Sequence, residues 1–352
     1  MELTRRNFIK RSLILGGSLF FDNSSLFALN KKGEPWYPSY AKLEEDGELA
    51  KRVEQAYSIF EQCELCPRLC GANRQNGERG FCNASAKLMV YTAQPHFGEE
   101  ISLVGKGGSG TIFFSNCNLR CVFCQNWPIS IIGHGREVQD QDLADMMIHL
   151  QKIGCHNINL VTPTHVMPNI LNATRIAFKK GLRLPLVYNT SGYESVEILK
   201  ILDSIVDIYL PDMKYMDAAK AYKYLSVAPD YPEVTQKAVI EMHRQVGKHF
   251  VNSQGIAIHG LMIRHLVMPN NEAGTEKFVR WVAENLPKST YVNIMHQYYP
   301  DYKAFEYPEI DRRISVQEYL DAMRWADEYG LTNLDQQSIR MKKIYIKRVI
   351  EG

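Results

Sequence analysis

The chain has 352 residues, 45% of them hydrophobic, with 41 Lys and Arg against 39 Asp and Glu for a formal net charge of +2. This is ordinary globular composition, enough for one large domain or two modest ones. The near balance of charge argues against a protein organised around a nucleic-acid backbone. No apolar run reaches about 18 residues, which excludes an integral multi-span membrane protein and leaves no transmembrane span. Eight cysteines are present, and they are not scattered. Seven fall in two groups, Cys63, Cys66, Cys70 and Cys82, then Cys117, Cys121 and Cys124, while Cys155 stands alone. Spacings of two and three residues let one loop point several thiolates at one centre, which is what metal ligation requires.

Residues 1–30 read as a targeting segment. Thr4-Arg5-Arg6-Asn7-Phe8-Ile9-Lys10 precedes an apolar stretch from Ser12 to Phe21, which is too short to span a bilayer and has the shape of a signal-peptide core. The paired arginines, the Phe and the Lys resemble a twin-arginine signal, which directs export of folded proteins. Export would place the protein in the periplasm or at the membrane; the alternative, a basic N-terminus without signal function, leaves it cytoplasmic. In an exported protein disulfides compete as an explanation for the cysteines. Cysteines packed as closely as Cys117, Cys121 and Cys124 would close very small, strained loops.

Residues 31–105 form a cysteine-rich front module. Cys63, Cys66, Cys70 and Cys82 offer four thiolates, enough for a closed tetrahedral zinc or an auxiliary iron–sulfur cluster. Pro67, Gly77 and Gly80 suit a compact ligand knuckle. Two disulfides formed after export are the competing reading.

From about Gly110 the sequence alternates strand and helix. The expected strands are Thr111–Phe114, Ile158–Val161, Leu184–Tyr188, Val206–Leu210, Gly260–Val267 and Tyr291–Met295. The expected helices are Asp140–Ile153, Met167–Lys180, Ser195–Ile205, a segment ending near Val246, Thr275–Leu286 and Val316–Tyr329. Such alternation implies parallel βαβ units. Six units favour a curved, partly closed α/β barrel, with the core at 106–300 and a C-terminal helical extension, 301–352, completing it. Polar residues recur after the strands: Thr162-Pro163-Thr164-His165, Asn189-Thr190-Ser191-Gly192, Asp212-Met213-Lys214, Asn270 and His296. Barrel active sites lie at these strand ends, although each such residue alone is equally a turn or helix cap.

The second cysteine group, Cys117-Asn-Leu-Arg-Cys121-Val-Phe-Cys124, follows a strand directly. Three thiolates can hold three irons of a [4Fe–4S] cubane and leave the fourth open to a substrate or cofactor. Zinc is the alternative, but zinc sites usually supply paired Cys-x2-Cys units. This loop, with an aromatic residue before its last cysteine, resembles that of the radical S-adenosylmethionine superfamily. Together with Cys-x2-Cys-Pro-Arg-x-Cys at 63–70, Asn157–His165, Tyr188–Tyr193 and Pro211–Tyr215, it is similar to one branch, the proteins like pyruvate formate-lyase activating enzyme. The resemblance implies a partial (β/α)6 barrel of the radical SAM type, with Cys117, Cys121 and Cys124 holding the [4Fe–4S] cluster and S-adenosylmethionine as cofactor. It implies that Phe123 packs near the adenine. Thr162, Thr164 and His165 occupy the place where activating enzymes carry Gly-Gly-Glu, a motif absent here. Asn189 and Ser191 match the segment near the methionyl and ribose groups, Asp212 and Lys214 match an Asp-x-Lys pair, and Arg264 and His296 match further pocket positions. The implied activity is reductive cleavage of S-adenosylmethionine and hydrogen abstraction from a protein glycine or a small molecule. Its partners would be a low-potential electron donor and a protein substrate. A non-catalytic iron–sulfur protein for electron transfer or redox sensing is the alternative function, against which the three-cysteine count stands.

Overall fold

The structure, a computed structural model, describes residues 36–351; the targeting segment expected at 1–30 lies outside them. Between Pro38 and the C-terminal end the strands are β1 (Leu88–His96), β2 (Ser109–Phe114), β3 (Arg136–Val138), β4 (Ile158–Val161), β5 (Leu186–Thr190), β6 (Ile208–Pro211), β7 (Phe250–Val251), β8 (Ala257–Leu266) and β9 (Tyr291–Met295). Six of these, β2, β4, β5, β6, β8 and β9, lie side by side in that order and pair in parallel. They are the six strands the alternation implies. Four-residue strands such as β6, with all four residues buried, read as unbroken apolar runs because both faces of the sheet are covered.

The helices are α1 (Ser39–Glu45), α2 (Glu48–Ser58), α3 (Ile101–Val104), α4 (Trp127–Ser130), α5 (Asp140–Lys152), α6 (Met167–Lys179), α7 (Val196–Ile201), α8 (Ala218–Tyr224), α9 (Tyr231–Val246), α10 (Thr275–Asn285), α11 (Val316–Glu328) and α12 (Gln336–Glu351). Local chemistry sets several boundaries. Capping boxes, Gln139 with Asp142 and Ser315 with Glu318, start α5 and α11 by satisfying N–H groups that have no partner within the helix. Among the described residues no helix is long and apolar enough to cross a membrane.

The sheet has an inside and an outside. Its outer face shares one large core with the helices, which also holds Cys155. Its inner face is smaller and apolar at one end, where Val187, Ile208, Leu210, Met262 and Tyr291 surround Leu103 of α3. This short helix is a plug: Asn157 Nδ2 donates to the Leu103 carbonyl at 2.8 Å, and Ser109 Oγ donates to Asn157 Oδ1 at 2.7 Å. Gly110 permits the approach of β2 to β4, since a Cβ there would stand 2.5 Å from the Asn157 carbonyl oxygen. At the β2 side the sheet continues through antiparallel β1 and β3. These two strands are additions to the expected six, and β1 carries the front module's chain into the sheet.

Candidate functional site

The polar end of the inner face is built by register. Parallel pairing sets Val161 beside Asn189, and Arg264 beside Asn293, while an isolated bridge joins Asp212 to Arg264. These strand ends therefore project one ring of polar side chains toward the barrel axis. Arg264 Nε donates to Asp212 Oδ1 at 2.7 Å and Arg264 Nη2 to Asn189 Oδ1 at 2.6 Å. Lys214 Nζ donates to Asp212 Oδ2 at 2.6 Å. Burial pushes the Asp212 carboxyl up, but Arg264 and Lys214 outweigh it and the net shift is down. Burial likewise opposes the Lys214 charge, and Asp212 holds its pKa above the ordinary lysine value. Both cations thus stay charged in a largely dry site.

Sequence reasoning missed the other half of this ring. Glu99 and Glu100, just before α3, rise from the plug into it. Arg264 Nη1 lies 3.6 Å from Glu99 Oε2, and Asn293 Nδ2 donates to Glu100 Oε1 at 2.9 Å. His96 Nδ1 donates to Glu99 Oε1 at 3.1 Å, and this bond raises the histidine pKa. Glu100 is fully enclosed, and burial raises its pKa. Buried polar atoms without partners also point at a ligand: Glu100 Oε2, Ser191 Oγ and both amide atoms of Asn159. A signal for Asn159 and Asn293 was present in the sequence. Polar residues two apart within apolar strands (Asn157 and Asn159, then Asn293) mark an inner face.

The cysteine loop closes over this ring. Cys117 and Cys121 are buried and Cys124 half-buried. Burial raises all three thiol pKa values, and the Lys214 cation opposes the rise at each. The Leu119 N–H donates to Cys117 Sγ at 3.3 Å, and Cys124 Sγ lies 3.0 Å from Ser130 Oγ. Among the described residues no three Cys, His, Asp or Glu side chains already stand at the mutual spacing a bound metal imposes, so the fit rests on donor chemistry. Three thiols on one loop, with Cys117 and Cys124 both among the charged neighbours of Cys121, a cation common to all, and backbone N–H support suit a [4Fe–4S] cluster held through three irons.

Phe123 is buried and meets Tyr215 and Tyr298 edge-on at 6.0 and 6.3 Å between ring centres. Thr162, directly after β4, has φ at 60°, an uncommon backbone for a β-branched residue and one that concentrates at functional positions. Ser191 is held by its carbonyl, which accepts from Tyr231 OH at 2.8 Å. Gly192, at φ 80°, lets the chain pass the Asp212 carbonyl oxygen, 2.3 Å from where a Cβ would be. Four expected residues are not brought to the ring. Thr164 Oγ1 donates to buried Glu194 Oε1 at 2.5 Å. His165 Nε2 donates to the Ser115 carbonyl at 2.7 Å, and burial lowers its pKa to about 3. His296 faces the helices, edge-on to Tyr319 and Tyr345, because the inward positions of β9 are Tyr291, Asn293 and Met295. Asn270 donates to the Glu309 carbonyl at 2.7 Å, away from the axis.

The front module packs directly on the cysteine loop. Arg68 donates from Nε to the Asn118 carbonyl at 3.1 Å, from Nη1 to Val227 at 2.7 Å and from Nη2 to Leu225 at 3.0 Å. Cys63, Cys66 and Cys82 are buried and Cys70 exposed, and all eight cysteines of the chain are free. Burial raises the Cys63 and Cys82 thiols and pushes Cys66 up to about 12. Arg74, 1% exposed, lies 3.9 Å from Cys63 Sγ, and its charge opposes the rise at Cys63 and Cys82. A buried cation beside buried thiols suits a net-negative metal–thiolate centre.

The radical SAM superfamily model matches residues 111–282, from β2 into α10. Two uncharacterized proteins of Methanocaldococcus jannaschii are similar over most of their length. MJ0674 is 34% identical over 290 residues, covering 80% of this chain and 78% of that protein. MJ0808 is 25% identical over 288 residues, covering 74% and 79%. Among solved structures, methylornithine synthase (PylB) aligns over 87% of this chain and 83% of its own at 13% identity, with a TM-score of 0.41. With the cysteine loop at the mouth of a six-stranded parallel half-barrel, and a family match spanning that loop and five of the six strands, the chain belongs to the radical SAM superfamily of iron–sulfur enzymes that use S-adenosylmethionine.

Proposed function

We propose that this protein activates a partner by taking a hydrogen atom from a glycine of its backbone. A bound cluster would supply one electron to break the sulfonium bond of S-adenosylmethionine, giving methionine and a 5′-deoxyadenosyl radical that takes the substrate hydrogen. The observation that carries the reading is the joining of Cys117, Cys121 and Cys124 to a ring of opposed buried charges centred on Asp212. Lys214 offers an ammonium to the methionyl carboxylate. Asn189 and Ser191 offer hydrogen bonds to the methionyl and ribose groups, and the unpartnered amide of Asn159 offers both a donor and an acceptor deeper in the barrel. Pyruvate formate-lyase activating enzyme-like proteins share the motifs quoted above, which supports the activating type of reaction. A second centre, zinc or iron–sulfur, belongs in this reading to Cys63, Cys66, Cys70 and Cys82. The twin-arginine-like segment supports export of the loaded protein.

The test is anaerobic reconstitution with iron and sulfide, then dithionite and S-adenosylmethionine, with 5′-deoxyadenosine measured by chromatography. Release of that product is expected, with both iron and product lost in Cys121→Ala. A fully loaded cluster that never cleaves S-adenosylmethionine would overturn the reading in favour of simple electron transfer.

A further inference from the structure

The cysteine loop also forms one wall of a cavity of about 820 Å³. Its walls include Arg120 and Val122 of the loop, Phe81 of the front module, Tyr222, Val227 and Tyr302, and none of Asn189, Asp212, Lys214 or Arg264. Neighbouring segments clamp the loop here: the Val122 N–H donates to the Tyr224 carbonyl at 3.0 Å, and the Lys303 N–H donates to the Val122 carbonyl at 2.9 Å. Four lining residues, Arg120, Ser226, Val227 and Tyr302, hold φ between 52° and 62°. Side chains avoid this backbone region, and such residues gather at functional surfaces. Large apolar side chains stand open in its lining, with Val227 57% and Tyr222 55% exposed. Arg120 Nη1 is buried without a hydrogen-bond partner. Lys303 adds a second cation, Lys223 is paired with Glu309, and Glu306 is the one carboxylate in the lining.

We infer that this face docks the protein that reduces the cluster, a small one-electron donor presenting an apolar or aromatic centre ringed by carboxylates. The inference rests on the reading above and adds the place and surface chemistry of one partner. A protein substrate must put its carbon at the barrel mouth, because hydrogen transfer needs contact. An electron needs only to cross the loop. The cavity is walled by the loop and by none of the ring residues, so it serves the second requirement and not the first. The donor loses one electron, the cluster gains it, and no bond forms or breaks at this face. The exposed ammonium of Lys303 takes a donor carboxylate, and the exposed apolar side chains supply the buried centre of the contact.

The test is stopped-flow reduction of the reconstituted holoprotein, followed by bleaching of the cluster absorbance, with flavodoxin hydroquinone or dithionite as reductant. The double variant Tyr222→Asp, Lys303→Glu should react about tenfold more slowly with flavodoxin, through lost electrostatic and apolar complementarity, while its dithionite rate and circular dichroism match the parent. Val227→Gly, which relieves the positive φ while removing an exposed side chain, should also slow the flavodoxin reaction without lowering Tm. A parent-like flavodoxin rate in all variants overturns the inference, as does slowing by both reductants alike. A parent protein that flavodoxin reduces but that never cleaves S-adenosylmethionine would leave the docking face standing and remove the proposed function.

Discussion

Asp212 and Arg264 are joined twice, by a parallel backbone bridge between the ends of β6 and β8 and by a side-chain bond from Nε to Oδ1 at 2.7 Å. This double tie fixes the strand ends and the charges above them together. Asp212→Asn leaves Lys214 and Arg264 without their common anion, and should cost about 3 kcal/mol, as breaking one partner of a buried pair does. Urea unfolding followed by circular dichroism measures it. The folded Asp212 pKa lies below its ordinary value, so its contribution is present above an unfolded value of about 4 and is lost as pH falls through the folded value. The gap between variant and parent should therefore hold from pH 7 to 5 and close only below about pH 4.

Glu194 has the opposite sign. Burial raises its pKa to about 7, so the folded protein holds this proton more tightly than the unfolded chain. Its contribution is full below about pH 4.3, the unfolded value, and is lost as pH rises to about 7. Glu194→Gln keeps an oxygen to accept the Thr164 hydroxyl and removes the titration. The variant should match the parent near pH 4 and exceed it in stability at pH 8. Parallel pH–stability curves would refute this assignment.

Gly192→Ala tests the close passage beneath the site. The new methyl would stand 2.3 Å from the Asp212 carbonyl oxygen, on a backbone at φ 80°. A loss of about 2 kcal/mol is expected from overpacking and φ strain together, read as a lowered Tm. An unchanged Tm would show that the two segments part freely.

Metal analysis by mass spectrometry separates the two cysteine groups. Cys66→Ser should lose the metal of the front module and keep about four irons per chain in the loop cluster. Cys121→Ala should do the reverse. Equal metal content in Cys66→Ser and the parent would remove the second centre.

Much of this was legible before the structure. The six parallel strands announce themselves because burial on both faces demands continuous apolar runs, as in Ile208-Tyr-Leu-Pro211, and some of the residues after them, Asp212 and Lys214 among them, form the ring. What the sequence hides is set by register and by distant neighbours. Strand β1 carries half-exposed polar residues and Pro95, which read as loop until β2 and β3 flank it. His296 and Asn293 are both polar residues near one strand end, and only the pleat says which faces inward. Thr164 and His165 follow β4 as expected, yet Glu194 and the Ser115 carbonyl, 30 and 50 residues away in sequence, claim their hydrogen bonds. Glu99 and Glu100 enter the ring because α3 plugs the barrel, and a four-residue helix leaves no periodicity to read.

Arg68 makes the front module and the cysteine loop a single mechanical object. One rigid guanidinium spans three carbonyls belonging to two separate segments, a geometry that lysine cannot reproduce. The loop that carries Cys117, Cys121 and Cys124 is thereby tied, through Asn118, to the distant segment at Leu225 and Val227, and loss of this one side chain would release both ties together.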